Sequence, residues 1–217
     1  MKVYGIGGLG VDERVFSELK LNFELTPLKW INPKPDESIS DYATRFSEQI
    51  DSSVPYAIIG VSFGGMLTIE LNKILTPEKI ILISSTTSKT NIPKVFRFLG
   101  QTGFFQLLPK SLLKPPPFLA NFLFSVSEPQ YKSKLKQIIK DTDVDFMRWA
   151  LGEISKWNNR EKANNIVSLH GSSDRLFKHP KNQDIFTISD AGHFMVMNRA
   201  EEVSEVLNQV ITSKQIT

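Results

Sequence analysis

Apolar residues fall along this chain in short blocks of two kinds. Lys2-Val3-Tyr4-Gly5-Ile6, Tyr56-Ala57-Ile58-Ile59, Lys79-Ile80-Ile81-Leu82-Ile83-Ser84-Ser85 and Asn165-Ile166-Val167-Ser168-Leu169-His170-Gly171 are brief and nearly continuous in apolar side chains. Runs of that kind are expected of strands covered on both faces of a parallel sheet. Other blocks repeat at helical spacing. Ile39, Tyr42, Phe46 and Ile50 share one face of a segment opened by Ser38-Ile39-Ser40-Asp41, and Met66, Leu67, Ile69, Leu71, Ile74 and Leu75 run up to the stop at Pro77. Val203, Val206, Leu207 and Val210 mark a last helix over 200–211. Asp12 to Leu19 predicts another helix with acids in its first turn, Asn22 to Trp30 a loosely alternating strand, and Gln183 to Ile188 a final strand. Strands alternating with helices predict an α/β fold. One interval departs from a regular repeat, because Arg175 to Asn182 leaves little room for a crossover helix.

The pattern changes character between Thr86 and Thr142. Phe96, Phe98, Phe104, Phe105, Phe118, Phe122 and Phe124 are interleaved with leucines and interrupted by Pro93, Pro109 and the triplet Pro115-Pro116-Pro117. Several short helices fit that punctuation better than strands do. A helical layer inserted after a sheet strand accounts for it, with a longer helix over Asp143 to Asn158 following. The expected organisation is a core of residues 1–85 and 143–217 carrying an insertion of residues 86–142.

Composition narrows the function classes. The chain has 217 residues, 41% hydrophobic, which suffices for one substantial core. No apolar run reaches the roughly 18 residues of a membrane-spanning helix, so no integral membrane contact is expected. The amino-terminal residues enter a strand without signal-peptide architecture, and the chain is read as soluble and cytoplasmic. A formal charge of +3 is too small and dispersed to argue for nucleic acid. The absence of cysteine rules out disulfides, a thiol nucleophile and thiolate metal sites.

Chemistry concentrates at Gly60-Val61-Ser62-Phe63-Gly64-Gly65, directly after the Tyr56 strand and before an apolar helix. A serine with glycines at both second neighbours is what a nucleophile elbow requires. The turn strains the serine backbone, and a Cβ at either flank would collide with the neighbouring strand or helix. A glycine-rich turn after any strand has the same composition, so context must decide. A serine hydroxyl is a weak nucleophile near neutral pH and needs a base, which in turn needs an orienting group. Three histidines supply the candidates. His193, in Asp190-Ala191-Gly192-His193-Phe194 after the last strand, falls at the sheet edge expected for Ser62. His179 sits in a polar connector beside Pro180, and His170 ends its strand, where a structural hydrogen bond is the natural role. Asp174 follows the next-to-last strand and converges on the same edge. Asp190 competes with it as the acid, although an acid in that setting usually caps a helix. The loop Gly7-Gly8-Leu9-Gly10 after the first strand does not satisfy Gly-x-Gly-x-x-Gly and is not followed by Gly-Lys-Ser/Thr, which disfavours nucleotide binding. The same loop can bring the Leu9 backbone N–H to an oxyanion formed at Ser62.

Ser62, Asp174 and His193 occur in the nucleophile, acid, base order of the α/β-hydrolase superfamily, and nearly the whole chain resembles it. Gly7-Gly8-Leu9-Gly10 resembles that superfamily's oxyanion loop, and is similar to the His-Gly-x-Gly of small biotin-pathway-type carboxylesterases, with Gly7 in place of the histidine. The resemblance implies that Leu9 and Phe63 supply the oxyanion N–H donors and that residues 86–142 are a helical cap. It also implies about six mostly parallel strands with helices on both faces, the family's first two antiparallel strands being missing. The function expected is serine hydrolysis of a carboxylic ester or thioester, without metal or cofactor, on a small-molecule substrate with an apolar acyl part. A C–C hydrolase or lyase using the same residues, and a non-catalytic receptor of this fold, are the alternatives. Between Ser88 and Ala150 ten basic residues face four acids. A basic rim of that kind suits an acyl group with an anionic head or carrier, such as a coenzyme A thioester.

Overall fold

The computed structural model describes residues 1–9, 11–159, 163–177 and 185–213. Among them a sheet of six strands runs in the order β2-β1-β3-β4-β5-β6, every neighbouring pair parallel. The strands are β1 (Lys2–Ile6), β2 (Leu25–Leu28), β3 (Tyr56–Val61), β4 (Lys79–Ile83), β5 (Ile166–Gly171) and β6 (Ile185–Ile188). All six residues of β3 are buried. Alternate side chains feed two separate cores: Ala57, Ile59, Ile81 and Ile83 on one face, Ile58, Ile80 and Leu82 on the other. The continuous apolar runs of the sequence have this origin, since neither side of the central strands meets water.

Helices α1 (Ile39–Phe46), α2 (Phe63–Leu71) and α8 (Val144–Lys156) close the second face, and α9 (Met195–Asn198) and α10 (Ala200–Thr212) close the first. Ser38 caps α1 by accepting from Asp41 N, and Asp143 caps α8 by accepting from Phe146 N. Between β4 and α8 the chain forms α3 (Lys94–Gln101), α4 (Phe104–Leu107), α5 (Lys110–Leu113), α6 (Pro117–Leu123) and α7 (Pro129–Asp141). Prolines open three of them: Pro93, Pro109 and Pro116 each stand at the position before a helix begins. Helix α3 lies against α8 so closely that a Cβ on Gly100 would come within 1.7 Å of Ser155 Oγ.

Several boundaries differ from expectation. The helix expected from Asp12 to Leu19 is a single 3₁₀ turn, Glu13–Phe16. Its amides fold back by three residues, as Ser17 N donates to Arg14 O and Leu19 N to Phe16 O, while Phe16 turns its ring onto Gly5 of β1. Packing one large ring against the face of the sheet outweighs continuing an isolated helix. Helix α1 stops at Phe46 and runs into a 3₁₀ turn, Ser47–Gln49, rather than reaching Ile50 as α-helix. The four-residue α9 was not expected, being too short to show a period. Strand β2 covers only the middle of the 22–30 stretch and carries Pro27, which an edge strand tolerates. Gln183 and Asp184, expected to begin the last strand, lie outside the described residues.

Candidate active site

The strand β3 ends in the elbow the glycines predict. Ser62 adopts φ 52° and ψ −118°, a left-handed conformation that serine takes only under constraint. The constraint is visible on both flanks. A Cβ on Gly60 would lie 2.6 Å from Gly65 Cα, and one on Gly64 would lie 2.2 Å from Gly7 O and 2.6 Å from Ile6 O. The helix starts immediately, with Gly65 N donating to Ser62 O at 3.0 Å and Ser85 Oγ donating to the same carbonyl at 2.6 Å. Ser62 N in turn donates to Ile83 O, so the turn is held from β4 as well.

The side chains of three distant segments meet at this point. Ser62 Oγ and His193 Nε2 are 2.8 Å apart, and His193 Nδ1 and Asp174 Oδ2 are 2.8 Å apart. The first comes from the elbow, the second from the loop after β6 and the third from the loop after β5, all at the carboxyl ends of parallel strands. Asp174 and His193 side chains are 1% and 3% exposed. Burial pushes the Asp174 carboxyl up, but the opposing charge and hydrogen bond of His193, with the Phe177 backbone N–H and His170, outweigh it. The carboxyl is held below its ordinary value. Its second oxygen, Oδ1, accepts from Leu176 N at 2.8 Å and Phe177 N at 3.1 Å, leaving Oδ2 directed at His193.

Neither Asp190 nor His170 has a hydrogen bond to Ser62. Asp190 is exposed, in a left-handed turn, with its N–H donating to Ser172 Oγ. His170 is buried, its Nε2 3.2 Å from Phe177 O and 3.7 Å from Asp174 Oδ2. His179 lies outside the described residues. Sequence reasoning missed the Leu176 and Phe177 amides and the Phe124 ring, whose centroid stands 5.4 Å from that of His193 in an edge-to-face pose. No side-chain pattern announces a backbone donor, and Phe124 was one phenylalanine among many in its segment.

The Gly7-Gly8-Leu9 turn lies over the elbow, a Cβ on Gly8 coming within 3.6 Å of Ser62 Cβ. Among the described residues, neither Leu9 N nor Phe63 N donates to a backbone carbonyl. Phe63 N belongs to the first turn of α2, where amides have no intrahelical partner and the helix dipole favours negative charge. A cavity of about 460 Å³ opens beside these groups. Ser62 and His193 line it with Leu9, Phe96, Leu99 and Leu135, so its wall is almost wholly hydrocarbon. The segment between β4 and α8 is pinned to the loops that carry His193 and Asp174. Phe194 N donates to Phe124 O, Ser125 Oγ to Ser173 O and Arg175 Nη1 to Phe122 O.

No protein-family profile matches this chain, and no curated protein matches it. Solved structures do. A thermophilic esterase from Thermogutta terrifontis superposes with a TM-score of 0.74 at 14% identity, over 97% of this chain and 89% of the other. ClbQ from the colibactin NRPS/PKS pathway gives 0.63 at 19% identity, over 97% and 96%. A bromoperoxidase from Bacillus anthracis gives 0.67 at 14% identity, over 98% and 92%. The chain therefore has the α/β-hydrolase fold. That fold carries many reactions, so the chemistry must be argued from the site.

Proposed function

We propose that this protein is a serine hydrolase that cleaves a carboxylic ester or thioester through an acyl-enzyme on Ser62. The observation that carries the reading is the unbroken line of hydrogen-bonding contacts Ser62 Oγ, His193 Nε2, His193 Nδ1, Asp174 Oδ2 on the wall of an apolar cavity. In this reading residues 1–85 and 143–217 are the catalytic core and residues 86–142 a cap that supplies much of the acyl pocket.

Ser62 Oγ attacks the acyl carbon as its proton moves to His193 Nε2. Asp174 holds the imidazole with Nδ1 protonated and faces the positive charge that the ring acquires. The carbonyl oxygen becomes an oxyanion on the Leu9 and Phe63 N–H groups, and losing one such donor costs about a hundredfold or more in rate. Collapse of the adduct breaks the bond to the alcohol or thiol, which leaves with the proton from Nε2. Water then adds to the acyl-serine while Nε2 takes its proton. The acid departs, and Ser62 recovers its hydrogen. Every proton is carried by groups of this chain or by water.

A fluorophosphonate probe tests the nucleophile, since its phosphonyl oxygen occupies the place of the oxyanion. Wild type is expected to be labelled at Ser62, and Ser62→Ala to be unlabelled and inactive. Folded protein that fails to label would remove the reading. Turnover of esters, thioesters and enolisable diketones of matched size separates acyl transfer from C–C cleavage.

A further inference from the structure

The inserted helices bury one side and leave another unusually greasy. Outside them, among the described residues, the exposed large apolar residues are Met1, Val54 and Ile74, far apart in sequence. On α3 to α6 they gather: Val95 is 72% exposed, Phe98 65%, Leu107 81%, Leu112 64%, Phe118 75% and Phe122 58%. Phenylalanines and leucines on short helices can be packed inward at no loss of helix. Six large apolar side chains turned to water on four consecutive short helices instead mark a surface that meets something apolar.

Charge says what that something is. From Ile80 to Ser127 the sequence holds no aspartate or glutamate, while Lys89, Lys94, Arg97, Lys110 and Lys114 are distributed through it. Lys94 and Arg97 make no ion pair among the described residues, whereas Lys110 pairs with Asp145 at 2.8 Å and Lys114 Nζ donates to Lys140 O. Large apolar side chains set beside cations such as Lys94 and Arg97, in a stretch without carboxylates, are the composition of elements that lie in the headgroup layer of an anionic bilayer. A folded acidic partner could answer the charge, but it offers no hydrocarbon depth for rings as exposed as Phe98 and Phe118.

We propose that α3 to α6 form a docking face for anionic lipid surfaces, from which an acyl substrate enters the cavity beside Ser62. The helices of this face also wall the cavity: α3 contributes Phe96 and Leu99 on its inner side and Phe98 on its outer side, and α6 contributes Leu123 inward and Phe118 outward. Substrate leaving a bilayer thus crosses one layer of short helices. The docking claim stands on the exposed face alone; the entry claim rests on the hydrolase reading above.

Co-sedimentation with vesicles separates the two. Full-length protein is expected to bind phosphatidylcholine vesicles that contain phosphatidylglycerol, weakly to bind phosphatidylcholine alone, and to release as salt is raised. Lys94→Glu with Arg97→Glu should weaken anionic binding about thirtyfold. Phe98→Ser with Leu107→Ser and Phe118→Ser should weaken it about a hundredfold or more. Neither variant touches the cavity, so both should react with the soluble fluorophosphonate at the wild-type rate, which also reports that they are folded. Failure of wild type to bind anionic vesicles, or binding that both variants retain, overturns docking whether or not Ser62 reacts. Self-association abolished by the apolar variant, with no vesicle binding, assigns the face to a second copy and likewise overturns it. Vesicle binding together with an unreactive Ser62 upholds docking and removes only the entry step.

Discussion

Replacing Asp174 by asparagine isolates what the buried carboxylate does. The change keeps shape and volume, and the surroundings decide which way the new amide faces. Oδ1 accepts from Leu176 N and Phe177 N. Turning the amide nitrogen toward those donors would lose both hydrogen bonds in a buried site, at about 1–3 kcal/mol each. The asparagine oxygen therefore stays on the backbone, and its NH₂ faces His193 Nδ1. A donor there forces Nδ1 to accept, which moves the imidazole proton to Nε2, the atom that receives hydrogen from Ser62 in the mechanism we propose. The variant is folded with its base in the wrong tautomer. Turnover should fall by about ten-thousandfold, equivalent to roughly 5 kcal/mol of barrier. Steady-state hydrolysis of a short p-nitrophenyl ester measures kcat, with thermal unfolding followed in parallel to show that the fold survives. Asp190→Asn, at an exposed turn, is the comparison and should leave kcat within about twofold, as surface substitutions usually do. A folded Asp174→Asn enzyme that keeps a tenth or more of its kcat, or an Asp190 variant that loses more, would refute the tautomer argument and the role given to Asp174.

Two further outcomes follow from other parts of the fold. Gly64→Ala drives a methyl against Gly7 O and Ile6 O, backbone atoms that cannot swing aside, so urea unfolding should show a loss of about 3 kcal/mol or more, whereas Gly8→Ala, with its nearest neighbour at 3.6 Å, should cost far less. Glu153 accepts from Ile39 N at 2.9 Å, and burial raises its carboxyl above the ordinary value. The folded state then holds its proton more tightly than the unfolded chain, so this group's contribution falls as pH rises from the ordinary glutamate range through the raised value. Glu153→Gln keeps the acceptor and removes the titration, and it should raise the urea midpoint at pH 8 but not at pH 4; equal effects at both would sink the assignment.

Much of the fold could be read directly, for reasons that differ by element. Strands β1, β3, β4 and β5 announced themselves because burial on both faces leaves no polar position to confuse the pattern. The elbow was legible because only glycine survives at Gly60 and Gly64 once strand and helix approach that closely. Ser62 could be picked out as a candidate by its flanking glycines, and Asp174 and His193 by position, since each follows a parallel strand and the carboxyl ends of such strands share one edge. Short elements were hidden. The 3₁₀ turn at Glu13–Phe16 and the four residues of α9 depend on partners far away in sequence, as do the Phe124 ring and the two amides that hold Asp174. The direction in which Phe98 and Phe118 face was equally invisible, because a phenylalanine reads the same whether it lines a pocket or meets solvent.

Strand β2 bears on a different matter, the behaviour of many copies of this chain in one solution. It forms one edge of the described sheet, and an edge offers unpaired backbone groups to any strand that drifts alongside. Here that offer is poor. The strand spans only Leu25–Leu28, Pro27 has no N–H to give, and exposed Glu24 and Lys29 stand at its two ends. An intruding strand would find too few ladder bonds to extend the sheet and a charge at each end to displace. A chain this rich in β-branched runs thus carries its own safeguard against edge-to-edge fibre growth, placed where the sheet would otherwise continue.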